Sequence, residues 1–153
     1  MPNTYSQIYI QIVFAVEGRQ NFIKESFREE VQKYMSGIIN NKKQKLYAIY
    51  CMPDHVPILV SIMPDIAISD LVRDIKANTT SFIKEKGFLK EVFSWQEGFG
   101  AFSYSKSQTE KVVNYILNQP IHHKKKGFRE EYYGFLENFD MAFDQKYVFE
   151  FYD

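Results

Sequence analysis

The chain has 153 residues and a mass of 18.2 kDa, enough for one domain with a real core and too few to split comfortably into two. Hydrophobic residues make up 45% and aromatic residues 17%, including 14 Phe and 11 Tyr, which excludes a disordered chain. Its 19 basic and 19 acidic residues cancel, and the sum alone argues against a nucleic-acid binder. The cancellation is uneven, because the segment from Glu137 to Asp153 holds five acids against one base and leaves residues 1–136 with four excess positive charges. A single cysteine, Cys51, lies in an apolar run and reads as a buried core thiol, since one thiol cannot form an internal disulfide. With no signal-peptide pattern and no apolar run of about 18 residues, the expectation is a soluble cytoplasmic protein with no membrane partner.

From Thr4 to Val16 the chain alternates, with Ile8, Ile10, Ile12, Phe14 and Val16 on one face and Gln7, Tyr9 and Gln11 on the other, which predicts a half-buried strand. Between Lys24 and Asn41, Phe27, Val31, Tyr34, Met35, Ile38 and Ile39 recur three and four apart, as on an amphipathic helix. The runs KLYAIYCM (45–52) and HVPILVSI (55–62) read as two strands, and Pro53-Asp54 between them predicts a tight hairpin. Ile68, Leu71, Val72, Ile75, Phe82 and Ile83 predict a second helix over about residues 66–86, ended by Gly87. A fourth strand is expected around Gly100 to Tyr104. The stretch SQTEKVVNYILNQP predicts a helix opened by a Ser107/Glu110 capping box and stopped by Pro120. A last helix, Phe128 to Phe139, places Phe128, Tyr132, Phe135, Leu136 and Phe139 on one face. The order β-α-β-β-α-β predicts an α+β fold: a ferredoxin-like or RRM-like antiparallel sheet with helices on one face and further helices appended at the C-terminal end. Residues 1–153 form one expected domain, closed by the acidic segment at about 137–153.

Strand periodicity puts His55, Pro57, Leu59 and Ser61 on one face, so His55 reads either as a metal ligand or as a satisfied core histidine next to Asp54. In the helix after Ser107, Val112, Val113, Ile116 and Leu117 cluster, while Lys111, Tyr115 and Gln119 fall away from them. Those three are either solvated decoration or a phosphate contact, a nucleophile and a ligand. The run His122, His123, Lys124, Lys125, Lys126 is either a solvated loop or a contact to a phosphate backbone. No GxGxxG, P-loop, CxxC or G-x-S-x-G pattern occurs.

Three stretches, YCMPDHVPILVS (50–61), WQEGFGAFSYS (95–105) and TEKVVNYILNQPIHHKKKGFREEY (109–132), resemble the IS200/IS605-type single-tyrosine transposases, including the repeat-associated tyrosine transposases. The resemblance runs from the first strand to about Tyr132. It implies a strand motif of two histidines flanking one hydrophobic residue, both imidazoles holding a divalent Mg²⁺ or Mn²⁺. It places His55 at the first ligand, Pro57 where the second histidine would stand, Gln119 as a further ligand and Tyr115 as the catalytic tyrosine. It also implies a homodimer acting on hairpin-bearing single-stranded DNA; on the residue reading above, Lys111, His122, His123, Lys124, Lys125 and Lys126 would lie along that DNA.

Proline has no donor atom and no N–H, so Pro57 removes both a metal ligand and a strand hydrogen bond. Two readings follow. One is an active, metal-dependent strand transferase with Tyr115 as nucleophile. The other is a catalytically degenerate or domesticated DNA-hairpin binder in which the metal is weak or absent. An RRM-like RNA binder ranks below both, because no strand carries the RNP1 aromatic pattern.

Overall fold

The computed structural model describes residues 3–153. Four strands, β1 (Tyr9–Ala15), β2 (Lys45–Ile49), β3 (His55–Ser61) and β4 (Gly100–Tyr104), form one sheet in the order β2-β3-β1-β4. Every neighbouring pair is antiparallel, and Ile12 sits opposite Ile58 in the central β1/β3 pair. This is the expected ferredoxin-like arrangement.

Helices α1 (Glu25–Asn41) and α2 (Ile68–Lys86) make the two crossovers on one face. Ile10, Ile12 and Phe14 of β1 and Val56, Ile58 and Val60 of β3 pack there against Val31, Met35 and Ile39 of α1 and Leu71, Ile75 and Ile83 of α2. Gly87 ends α2 at φ 65°, a left-handed conformation that a residue without Cβ adopts at no steric cost.

The other face is covered by the C-terminal helices α3 (Thr109–Leu117) and α5 (Phe128–Asn138), with the short α4 (Gln119–His122) between them. Val13, Ala15 and Phe102 meet Phe128, Tyr132 and Leu136 of α5, while Ala48 and Leu59 meet Val112 and Ile116 of α3. The half-buried β1 of the sequence analysis is corrected on this point. All seven of its residues are buried, and Gln11, expected on an open face, is 1% exposed. Among the described residues, no helix is long and apolar enough to cross a membrane.

Two local expectations change. The capping box lies two residues earlier than Ser107/Glu110: the Ser105 N–H donates to Gln108 Oε1 at 2.9 Å, and a 3-10 turn at Lys106–Gln108 leads into α3. Pro120 acts as a starter as much as a stop. Helix α3 breaks at Asn118, and Pro120 then occupies the first turn of α4, where a missing N–H costs nothing.

Pro57 is accommodated in the central strand by its position along it. Its carbonyl accepts from the Tyr50 N–H at 3.3 Å, and in an antiparallel strand a residue's nitrogen faces the same neighbour as its carbonyl. The missing N–H therefore lies opposite Tyr50, just past the end of β2, and not in the β1/β3 ladder.

Candidate active site

His55 opens β3 directly after the Pro53-Asp54 turn and is fully buried. Asp54 does not continue the strand. It stays in the turn, with its Oδ1 2.7 Å from His55 Nδ1. That contact fixes which nitrogen faces the carboxylate and aims Nε2 into the space between the sheet and the C-terminal helices. Phe128 stacks on the imidazole with centroids 3.8 Å apart and planes 5° from parallel, which fixes the ring's tilt.

Around His55 Nε2 gather three side chains from the C-terminal segment. Gln119 Oε1 is at 3.3 Å and Glu131 Oε1 at 3.6 Å. His123, just past α4, brings its Nε2 to 2.9 Å from the same Gln119 oxygen and 3.4 Å from Glu131 Oε2. Gln119 Nε2 donates to Glu131 Oε2 at 3.2 Å, and the Tyr115 hydroxyl donates to that oxygen at 2.5 Å. Glu131 thus joins the tyrosine to both imidazoles.

Burial and partners work against each other at each titrating group. Burial opposes charge on His55, but hydrogen bonds to Asp54 and Glu131 outweigh it and raise the imidazole pKa to about 9. Burial pulls the Glu131 carboxyl upward, yet its bonds to His123, His55 and Tyr115 hold it well below the usual carboxylate range. Asp54 is likewise lowered, with His55 overcoming the cost of burial. Tyr115 is pushed above its ordinary value by burial and then by the neighbouring Glu131, so its oxygen keeps its proton at neutral pH.

The donor set suits a divalent cation. One ligand atom each from His55, His123 and Glu131 lies within 4.8 Å of the others, and Gln119 Oε1 is in reach of both imidazoles. Two imidazole nitrogens with a carboxylate and an amide oxygen make a mixed nitrogen and oxygen donor set, unlike the all-oxygen shell that Mg²⁺ prefers. Pro57, buried two residues beyond His55, supplies no donor; a second imidazole is present, but it comes from His123.

The structure therefore brings together His55, Tyr115 and Gln119 and adds three groups: His123 and Glu131 in the cluster and His122 against the tyrosine ring. His123, expected along the DNA, is turned into the cluster with a side chain 11% exposed. His122 stacks on the Tyr115 ring, with centroids 4.4 Å apart. Lys124, Lys125 and Lys126 are exposed in the turn after α4, and Lys111 is exposed on α3. Glu131 was not singled out in the sequence. Its signal was available: it lies three residues after Phe128 and four before Phe135, a carboxylate on the apolar stripe of a helix, where an unpaired acid is costly.

Residues 4–119 match the family model described as "Transposase IS200 like". Among solved structures, a candidate transposase from Deinococcus radiodurans R1 superposes with a TM-score of 0.62 at 19% identity, covering 76% of this chain and 94% of that one. A REP-associated tyrosine transposase bound to a REP hairpin superposes with a TM-score of 0.60 at 17% identity, covering 79% of this chain and 72% of that one. A search of curated proteins gives no match.

Proposed function

This chain belongs to the IS200-like transposase family, and from that premise we propose that it cleaves and rejoins single-stranded DNA beside a hairpin, with Tyr115 as nucleophile. The observation that carries the reading is the buried link from the Tyr115 hydroxyl through Glu131 to His55 and His123. A structural neighbour bound to a REP hairpin supports a hairpin as the ligand. The homodimer and cytoplasmic location implied by the resemblance belong to the same reading.

His55, His123, Glu131 and Gln119 would hold a divalent ion, and of the two that the resemblance implies Mn²⁺ accepts nitrogen donors more readily than Mg²⁺. Such an ion supplies Lewis-acid polarisation of the scissile phosphate and charge stabilisation at its oxygens. The protein's own part is orientation and proton handling. Asp54 and Phe128 hold the His55 ring, and Glu131 fixes the phenol oxygen with its hydrogen directed at Oε2.

In the cleavage step the Tyr115 oxygen bonds to phosphorus as the bond from phosphorus to the 3′ oxygen breaks. The phenolic proton passes to Glu131 Oε2, the base within reach, and from there through solvent water to the departing 3′ oxygen. The products are a 5′-phosphotyrosine and a free 3′-hydroxyl. The reverse attack by another 3′-hydroxyl rejoins the strand with no external energy source.

The test is a 3′-labelled library of hairpin oligonucleotides incubated with protein and Mn²⁺, then resolved under denaturing conditions. A protein-linked label is expected from the wild type, none from Tyr115→Phe, and on the order of 100-fold less from His123→Ala. A labelled band that persists in Tyr115→Phe removes the proposal. Hairpin retention with no band in any variant would favour the binding-only reading that Pro57 motivates.

A further inference from the structure

A cavity of about 240 Å³ opens beside Tyr115. Its walls are Tyr104, Val112, Tyr115 and Phe135, with Lys111 among the lining residues and Gln11 of β1 also facing it. The Gln11 amide is 1% exposed and only half satisfied. The Tyr104 hydroxyl donates to its Oε1 at 3.0 Å, while its Nε2 has no partner. A buried N–H donor without an acceptor is destabilising, and proteins keep few of them. Here the orphan donor belongs to a residue lining an open cavity.

The chemistry of the walls selects the occupant. Two tyrosine rings and a phenylalanine offer stacking surface, one amide offers a directed donor, and an exposed lysine offers a cation for a phosphate. One face of the Tyr115 ring is already covered by His122, so the ring meets the cavity from its remaining sides. A planar, aromatic ligand with acceptors on its edge and a phosphate attached satisfies every wall.

We propose that the cavity receives one unpaired nucleobase adjoining the phosphate that Tyr115 attacks, with Gln11 Nε2 donating to an acceptor on the base edge. The inference rests on the DNA-cleaving reading and extends it by naming a residue that reads sequence. Gln11 discriminates between bases, whereas Lys111 holds the backbone whatever the base.

The experiment sequences the DNA retained from a library of hairpin oligonucleotides with randomised single-stranded flanks, in EDTA so that no strand is cut. Wild type, Gln11→Met and Lys111→Ala are compared. For the wild type, one flanking position should depart from uniform usage by about tenfold. Gln11→Met should bring that position to within about twofold of uniform with total retention almost unchanged, and Lys111→Ala should lower retention for all sequences while keeping the preference. Gln11→Met removes the unpartnered donor together with the acceptor of the Tyr104 hydroxyl, so its melting temperature is measured beside that of Gln11→Met/Tyr104→Phe, in which no polar group is left unpaired, and the same loss of preference is expected from both. Retention by the wild type with no preferred position, or with a preference that survives Gln11→Met, overturns the subsite and leaves the proposed function standing. No retention by the wild type overturns both.

Discussion

Raising the pH from 7 to 8.5 should tighten Mn²⁺ binding by about 25-fold. The proton on His55 competes with a cation for the same lone pair, and that proton is held unusually firmly by Asp54 and Glu131 against the opposing effect of burial. With the imidazole pKa at about 9, only about 1% of His55 is free of its proton at pH 7 and about a quarter at pH 8.5. Affinity should therefore climb close to tenfold per pH unit at first and level off above the imidazole pKa. Titration calorimetry over this range measures the affinity, and repeating it in two buffers of different ionisation enthalpy counts the protons released. Close to one proton per ion is expected at pH 7 from His55 alone. A pH-independent affinity, or binding with no proton release, would refute the reasoning. So would Mn²⁺ affinity unchanged in His55→Ala.

Three further outcomes follow from the same geometry. The Glu131 carboxyl is held low, so its contribution to stability is present above its unfolded pKa and lost as pH falls through the folded value; Glu131→Gln should flatten the acid limb of a urea-stability profile, and an unchanged limb would show that the carboxylate is not paired in solution. Replacing Lys124, Lys125 and Lys126 together by alanine should reduce the slope of log K against log salt for single-stranded DNA by about 2, whereas an unchanged slope would place the strand elsewhere. Pro57→Val gives β3 the N–H that faces Tyr50 and should raise unfolding free energy by about 1 kcal/mol in urea titrations; a loss of similar size would mean that the proline ring is needed for packing.

The sheet and its crossovers were legible because their signals are local. Alternation in β1, the three-and-four spacing of α1 and α2, the Pro53-Asp54 break and Gly87 each report on a few neighbouring residues. What failed depended on distant chain. Nothing near Tyr9 or Gln11 says that helices about a hundred residues later will return to bury that face. The capping box sits at Ser105, on the 3-10 turn before α3, and not at Ser107, because two serines and two suitable partners lie within six residues and spacing alone cannot rank them. For the cluster, the strand period could place His55 and Pro57 on a common face, but the bearings of His122 and His123 depend on how the chain bends at Asn118 and Pro120. Glu131 needed the helix to be read for its exception as well as for its stripe.

Tyr115, Glu131, His55 and His123 meet within one polypeptide in the described fold, although the strand that carries His55 and the helix that carries Glu131 lie far apart in sequence. On the proposed function, that predicts what a mixture of two defective chains would contain. A Tyr115→Phe chain and a His55→Ala chain, each folded as described, supply no intact constellation between them. Activity regained on mixing would then count the molecules in which α3 has changed partners. Without such exchange, the mixture stays inactive.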